Sequence, residues 1–159
     1  MENLKHIENY LEISDQLATG GMPRPEDFPL IRQAGFEVVI NLALPTSDGA
    51  IANEGELVTS QEMTYVHIPV KFDAPKDQDF EQFTRFLESC GGQKVFVHCV
   101  VNCRVAAFVF LHRLRMGTDR SIAEKSLRQI WEPNEVWRNF INQQLAKIGQ
   151  AKLDVPASA

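Results

Sequence analysis

Ten residues, Val95 to Arg104, carry the clearest chemical signal in the chain: Val-Phe-Val-His-Cys-Val-Val-Asn-Cys-Arg. The apolar start reads as a buried strand that runs through a short loop into a helix opened by Arg104. Backbone N–H groups of such a loop and the helix amino terminus point at one spot and favour an anion there. A cysteine at the strand end, Cys99, sits inside that field, which stabilises its thiolate and makes it a nucleophile. Arg104 offers a planar fork of donors to an oxyanion, and His98 can orient the loop through its ring nitrogens. Val100, Val101, Asn102 and Cys103 complete the loop as candidate binding residues. The competing reading of a lone cysteine is a small buried hydrophobe. The His-Cys pair and the arginine weigh against it at Cys99. At Cys103 packing is the favoured role, with a thiol that resolves oxidised Cys99 as the alternative.

Displacement at phosphorus by a thiolate also needs an acid to protonate the leaving oxygen. The polar stretch from Phe72 to Asp79 supplies three carboxylates, Asp73, Asp77 and Asp79. Asp73 stands closest to the preceding strand end and is the first candidate, against the reading of a solvated loop charge. Asp77 and Asp79 fall at the start of the next helix, where capping is expected of them.

These residues need elements to position them. Strand-like and helix-like segments alternate along the 159 residues, as in an α/β protein. Leu11 to Leu17 is apolar and runs into Thr19-Gly20-Gly21, read as a turn. Pro25 to Ala34 reads as a helix closed by Gly35. Phe36 to Leu44 is a buried parallel strand, followed by a polar loop, Pro45 to Asn53, and a short helix at Glu54 to Glu62. Tyr65 to Val70 forms the next strand. Phe80, Phe83, Phe86 and Leu87 share a helical face, and Lys94 to His98 is again strand. Arg104 to Met116 is apolar almost all round, which places it as a central buried helix. A further helix stops before Pro133, and Asn134 caps a last one carrying Trp137, Ile141, Leu145 and Ile148. The Trp131–Trp137 segment is explained by helix termination and core packing, with a wall of the substrate cleft as the rival.

The expected architecture is a three-layer α/β domain with a central, mainly parallel sheet of four to five strands flanked by helices. One domain is expected over 1–151, with a flexible tail over 152–159. A formal net charge of −5 argues against nucleic acid as partner, while a local positive site still suits a phosphorylated protein or a small anionic substrate. No apolar run spans a bilayer and the amino terminus carries no signal-peptide stretch, so a cytoplasmic location with reduced thiols is expected. Cys90, Cys99 and Cys103 are then free thiols. No cofactor or metal is expected: Cys99 and Cys103 lack a second ligand pair, and His67 and His112 have no ligand spacing. Oligomeric state leaves no mark on the sequence.

The chain resembles the cysteine-dependent protein tyrosine and dual-specificity phosphatase superfamily in its compact form. The resemblance rests on Ala18-Thr19-Gly20-Gly21-Met22-Pro23, Gly35-Phe36-Glu37-Val38-Val39-Ile40-Asn41-Leu42, His67-Ile68-Pro69-Val70 and Val97-His98-Cys99 through Arg104. This order of segments is similar to small bacterial phosphatase-like proteins of domain-of-unknown-function family 442. The resemblance implies a dual-specificity-phosphatase-like fold. It implies hydrolysis of a phosphomonoester, with a phosphocysteine at Cys99, Arg104 gripping the phosphoryl group and Asp73 as general acid. Four residues separate Cys99 from Arg104, where the superfamily signature has five. Val105 and Ala106 follow the arginine, where the signature has a hydroxyl that eases departure of the thiolate. The loop has no glycine, and Asn102 is the residue best able to adopt a left-handed conformation there. The shorter spacing also resembles rhodanese-type sulfurtransferases, whose loop carries a cysteine persulfide. A phosphate-binding module with weak turnover is the third reading.

Overall fold

The computed structural model describes residues 4–155. Its sheet has five strands: β1 (Leu11–Ser14), β2 (Leu17–Gly20), β3 (Val38–Asn41), β4 (Thr64–His67) and β5 (Val95–His98). They lie in the order β1-β2-β5-β3-β4, with β1 and β2 antiparallel and all other neighbours parallel. Six helices accompany them among the described residues: α1 (Asp27–Gln33), α2 (Glu54–Ser60), α3 (Asp77–Ser89), α4 (Cys103–Arg115), α5 (Arg120–Ile130) and α6 (Glu135–Lys147).

The period-two alternation of a strand sorts β5 onto both faces of the sheet. Val95 and Val97, continued by Cys99, join the larger apolar cluster, which includes residues of α3, α4, α5 and α6. Phe96 turns to the opposite face and packs with Phe28 and Ile31 of α1 and Val58 of α2. β5 is thus the central strand, buried along its whole length. The chemistry-bearing loop leaves from its carboxyl end, where open α/β sheets present their ligand sites. Helix α4 explains its apolar sequence by the same geometry. Phe108 meets Phe80 at 5.4 Å, Phe83 at 5.5 Å and both Trp137 and Phe140 at 5.9 Å between ring centroids. Asn134 caps α6 by accepting from the Trp137 N–H at 2.9 Å.

Two expectations are corrected. Thr19 and Gly20 are not a turn: they pair with Val97 and His98 as the end of β2. Glycine is used there for close packing, since a Cβ at Gly20 would meet Phe96 and Ile7 at 3.0–3.1 Å. Nor is the chain free from residue 152 onward. Leu153 is 4% exposed within the larger cluster, its N–H donates to Asn142 Oδ1 at 2.9 Å, and Arg120 and Arg128 bind the carbonyls of Ala151, Lys152 and Asp154. The rest of the expected tail, 156–159, lies outside the described residues.

Candidate active site

The loop from Cys99 to Arg104 is held by its carbonyl groups. Cys99 O accepts from His98 Nδ1 at 3.1 Å, and Val100 O accepts from the Met22 N–H at 2.9 Å. Val101 O accepts from Asn9 Nδ2 at 2.9 Å. Asn102 O accepts from the Ala106 N–H at 2.8 Å, the first bond of α4. No peptide among the described residues is cis, and a trans peptide directs its N–H opposite to its C=O. Four tethered carbonyls therefore turn the N–H groups of Val100, Val101, Asn102 and Cys103 away from their tethers. None of the N–H groups from Val100 to Val105 has an acceptor among the described residues.

The turn that makes this possible centres on Asn102, in the left-handed region at φ 73°, as expected of the one loop residue suited to it. Its side chain is buried and turned into the fold. Nδ2 donates to Asn9 O at 2.8 Å and to Thr19 Oγ1 at 3.0 Å, while Oδ1 has no partner. Gly21 lets the neighbouring chain approach, since a Cβ there would lie 2.5 Å from Val100 O.

His98 is fully buried on the α2 side of the sheet. Its Nε2 lies 2.5 Å from Glu54 Oε2, so both ring nitrogens are engaged and the residue supports the loop rather than touching a ligand. Glu54 is held in turn by Asn41 Nδ2 at 3.3 Å, and Asn41 also donates to Tyr65 Oη at 3.1 Å. Sequence reasoning missed Glu54. A carboxylate opening a short helix gives no local sign of burial, and only the pairing of His98 with Asn41 across β5 and β3 places a polar patch beneath it.

Arg104 is 6% exposed. Its Nη1 donates to Val70 O at 2.9 Å, its guanidinium carbon lies 5.9 Å from the Phe72 ring centre, and it pairs with no carboxylate among the described residues. A nearly buried cation without a counter-charge is costly and is relieved by an arriving anion. Arg104 opens into a groove of about 390 Å³ lined by Leu44, Thr46, Ser47, Asp48, Phe72, Asp73 and Val100. Asp73 thus reaches the same groove as Arg104. Asp77 does not: it binds Gln144 Nε2 at 2.6 Å and Lys147 Nζ at 2.8 Å on α6. Asp79 sits in the first turn of α3, its carboxyl pushed up by burial. The Asp79 carboxylate accepts from the backbone N–H of Lys76, the residue before α3, which is the capping contact expected of it.

The loop bearing Asp73 is clamped by aromatics. Trp137 Nε1 donates to Phe72 O at 2.6 Å, and Trp131 and Trp137 flank the Phe72 ring at 5.7 and 6.1 Å. Trp137 is core and Trp131 half-buried against the same cluster; neither lines the groove, which they shape through Phe72. Cys99 is 1% exposed and does not itself line the groove. Cys103, half-buried at the first position of α4, has its thiol pushed up to about 11 by burial and then by neighbouring Cys99. Burial thus favours the protonated thiol at Cys103. All three cysteines are free.

The DUF442 phosphatase-family protein of Shewanella putrefaciens CN-32 is 34% identical to this chain, over 91% of it and 95% of the relative, with a TM-score of 0.82. Kinase associated phosphatase shares the fold at a TM-score of 0.75 and 15% identity, over 91% of this chain and 96% of its own. TpbA of P. aeruginosa, in complex with pTyr, shares it at 0.63 and 15%, over 92% and 85%. No family model and no curated protein matches the chain. Among the described residues no helix is long and apolar enough to cross a membrane.

Proposed function

The chain belongs to the DUF442 family of the cysteine-dependent phosphatase superfamily, and we propose that it hydrolyses a phosphomonoester through a phosphocysteine at Cys99. The observation that carries the reading is the row of unpaired N–H groups from Val100 to Val105 beside a carboxylate-free Arg104. This is an oxyanion cradle whose dipoles are fixed before substrate arrives. It supports binding of the three non-bridging oxygens, with the guanidinium supplying the full positive charge.

In the first step the Cys99 sulfur forms a bond to phosphorus and the ester P–O bond breaks. Asp73 transfers its proton to the departing oxygen, releasing the alcohol. In the second, water adds to phosphorus, Asp73 carboxylate takes the water proton, and the P–S bond breaks. Phosphate leaves, and the thiolate and the protonated acid are restored. His98 and Glu54 hold the Cys99 carbonyl through both steps. Cys99 is 1% exposed, so in this reading the sulfur meets the phosphoryl group at the base of the Val100–Arg104 cradle. The physiological substrate in this reading is a phosphorylated protein or a small phosphorylated molecule.

The test is a series of aryl phosphates of rising leaving-group basicity, hydrolysed by the reduced protein and by Asp73→Asn. The reading expects a shallow dependence in the wild type and a steep one in the variant, because the poorest leaving groups need the proton most. Equal slopes remove Asp73 from the acid role. Absence of turnover, with sulfur transfer from thiosulfate to cyanide in its place, replaces the reading by persulfide chemistry at the same cysteine.

A further inference from the structure

We propose that the groove selects phosphate esters that carry one phosphate and a cationic group beside it, with Asp48 as the residue that makes the choice. The proposal rests on the phosphatase reading above. Of the residues lining the groove, Arg104 is the one cation, and Asp48 and Asp73 are both acidic. Arg104 is committed to the phosphoryl group and Asp73 to the leaving oxygen. What remains to meet the rest of the substrate is Asp48, with Leu44, Thr46, Ser47 and Phe72 as neutral walls.

Asp48 is exposed and pairs with no cation among the described residues. It is presented by a turn bonded to itself: the Leu44 N–H donates to Ser47 Oγ at 2.9 Å, the Ser47 N–H to Leu44 O at 3.0 Å and the Ala50 N–H to Ser47 O at 3.1 Å. Lys71, two residues before Asp73, is exposed and lies outside the lining. A second phosphate on the substrate would therefore meet a carboxylate and no cation. An ammonium or guanidinium group would meet a charge of opposite sign, on a protein whose net charge of −5 also favours approach of cations. The shared chemistry fits a small amino-phosphate ester or a phosphorylated peptide with basic neighbours.

Two aryl phosphates of similar leaving-group basicity provide the test: the phosphate ester of tyramine and that of hydroxyphenylpropionate, which swaps ammonium for carboxylate. The wild type is expected to favour the ammonium ester in kcat/KM by about fivefold at low ionic strength. The preference fades at about 0.5 M salt, as a screened interaction between exposed charges must. Asp48→Asn brings the ratio close to one, and Asp48→Lys reverses it. A ratio near one in the wild type, or one unchanged in Asp48→Asn, overturns the proposal. Phosphotyrosine peptides flanked by Lys or by Glu form the second arm, and a larger ratio there than with the small esters assigns the cation to a protein substrate. If neither ester is hydrolysed, the phosphatase reading fails, and calorimetric binding of both esters decides this proposal separately. Tighter binding of the ammonium ester upholds it, and equal or undetectable binding ends it.

Discussion

Arg104 Nη1 donates to the carbonyl of Val70 at 2.9 Å, so the side chain that would grip a phosphoryl group also ties down the loop carrying Asp73. Trp137 holds the same loop two residues later through Phe72 O. In the proposed reaction, phosphate binding and acid placement would share one guanidinium.

Replacing Arg104 with Lys keeps the charge and loses the planar fork. One ammonium cannot hold Val70 O and a bidentate oxyanion together. The variant is expected to lose about 100-fold in kcat/KM on an aryl phosphate, equivalent to about 2.7 kcal/mol of transition-state stabilisation. A loss of less than about threefold in steady-state kinetics contradicts the dual role.

The pair formed by His98 and Glu54 is buried at both ends. Glu54→Ala leaves the imidazole without its partner in an interior that cannot replace it with water. We expect about 3 kcal/mol of lost stability in urea unfolding, with the midpoint moving and the slope retained. A loss below about 0.5 kcal/mol means that the pair holds neither the fold nor the loop.

Asn102 separates backbone from side-chain effects. Alanine at φ 73° adds left-handed strain and removes the bonds to Asn9 O and Thr19 Oγ1, costing about 2 kcal/mol. Glycine removes the same bonds without the strain, and is expected to cost about 1 kcal/mol. Equal costs by thermal or urea unfolding indicate that the left-handed turn is not the constraint.

Much of this arrangement was legible before any coordinates. The strand before Cys99 and the helix after it follow from the apolar run and its interruption, and Asn102 stands out because no glycine competes for the left-handed position. Asp73 is separated from Asp77 by position alone; in the structure Asp73 lines the same groove as Arg104 and Asp77 does not. What stayed hidden depends on distant pairing. Glu54 meets His98 over 44 residues and Asn102 meets Asn9 over 93. Neither contact has a local periodicity to betray it. Thr19 and Gly20 look like a turn in isolation, and become strand because Val97 and His98 lie alongside.

His112 sets an acid limit. Burial pushes its pKa below the ordinary 6.5, and its Nδ1 lies 2.7 Å from Thr84 Oγ1. The unfolded chain then binds a proton that the folded state refuses as pH falls below 6.5, so stability declines from there downward through the folded pKa. His112→Gln should flatten that part of a stability–pH curve between about pH 7 and 5. An unchanged curve assigns the acid limb to other groups.

The proposed hydrolysis passes through a covalent bond between phosphorus and the Cys99 sulfur. Val105 stands directly after Arg104, where the superfamily signature has a hydroxyl that eases thiolate departure, so the intermediate is expected to break down slowly and accumulate. The most direct measurement mixes reduced protein with an aryl phosphate, quenches it within a turnover and maps the adduct by mass spectrometry. A burst of phenol is expected, matched by one phosphoryl group on the peptide containing Cys99, with both lost in Cys99→Ser. Hydrolysis that continues in Cys99→Ser, or a phosphoryl group found on another residue, contradicts a phosphocysteine at Cys99.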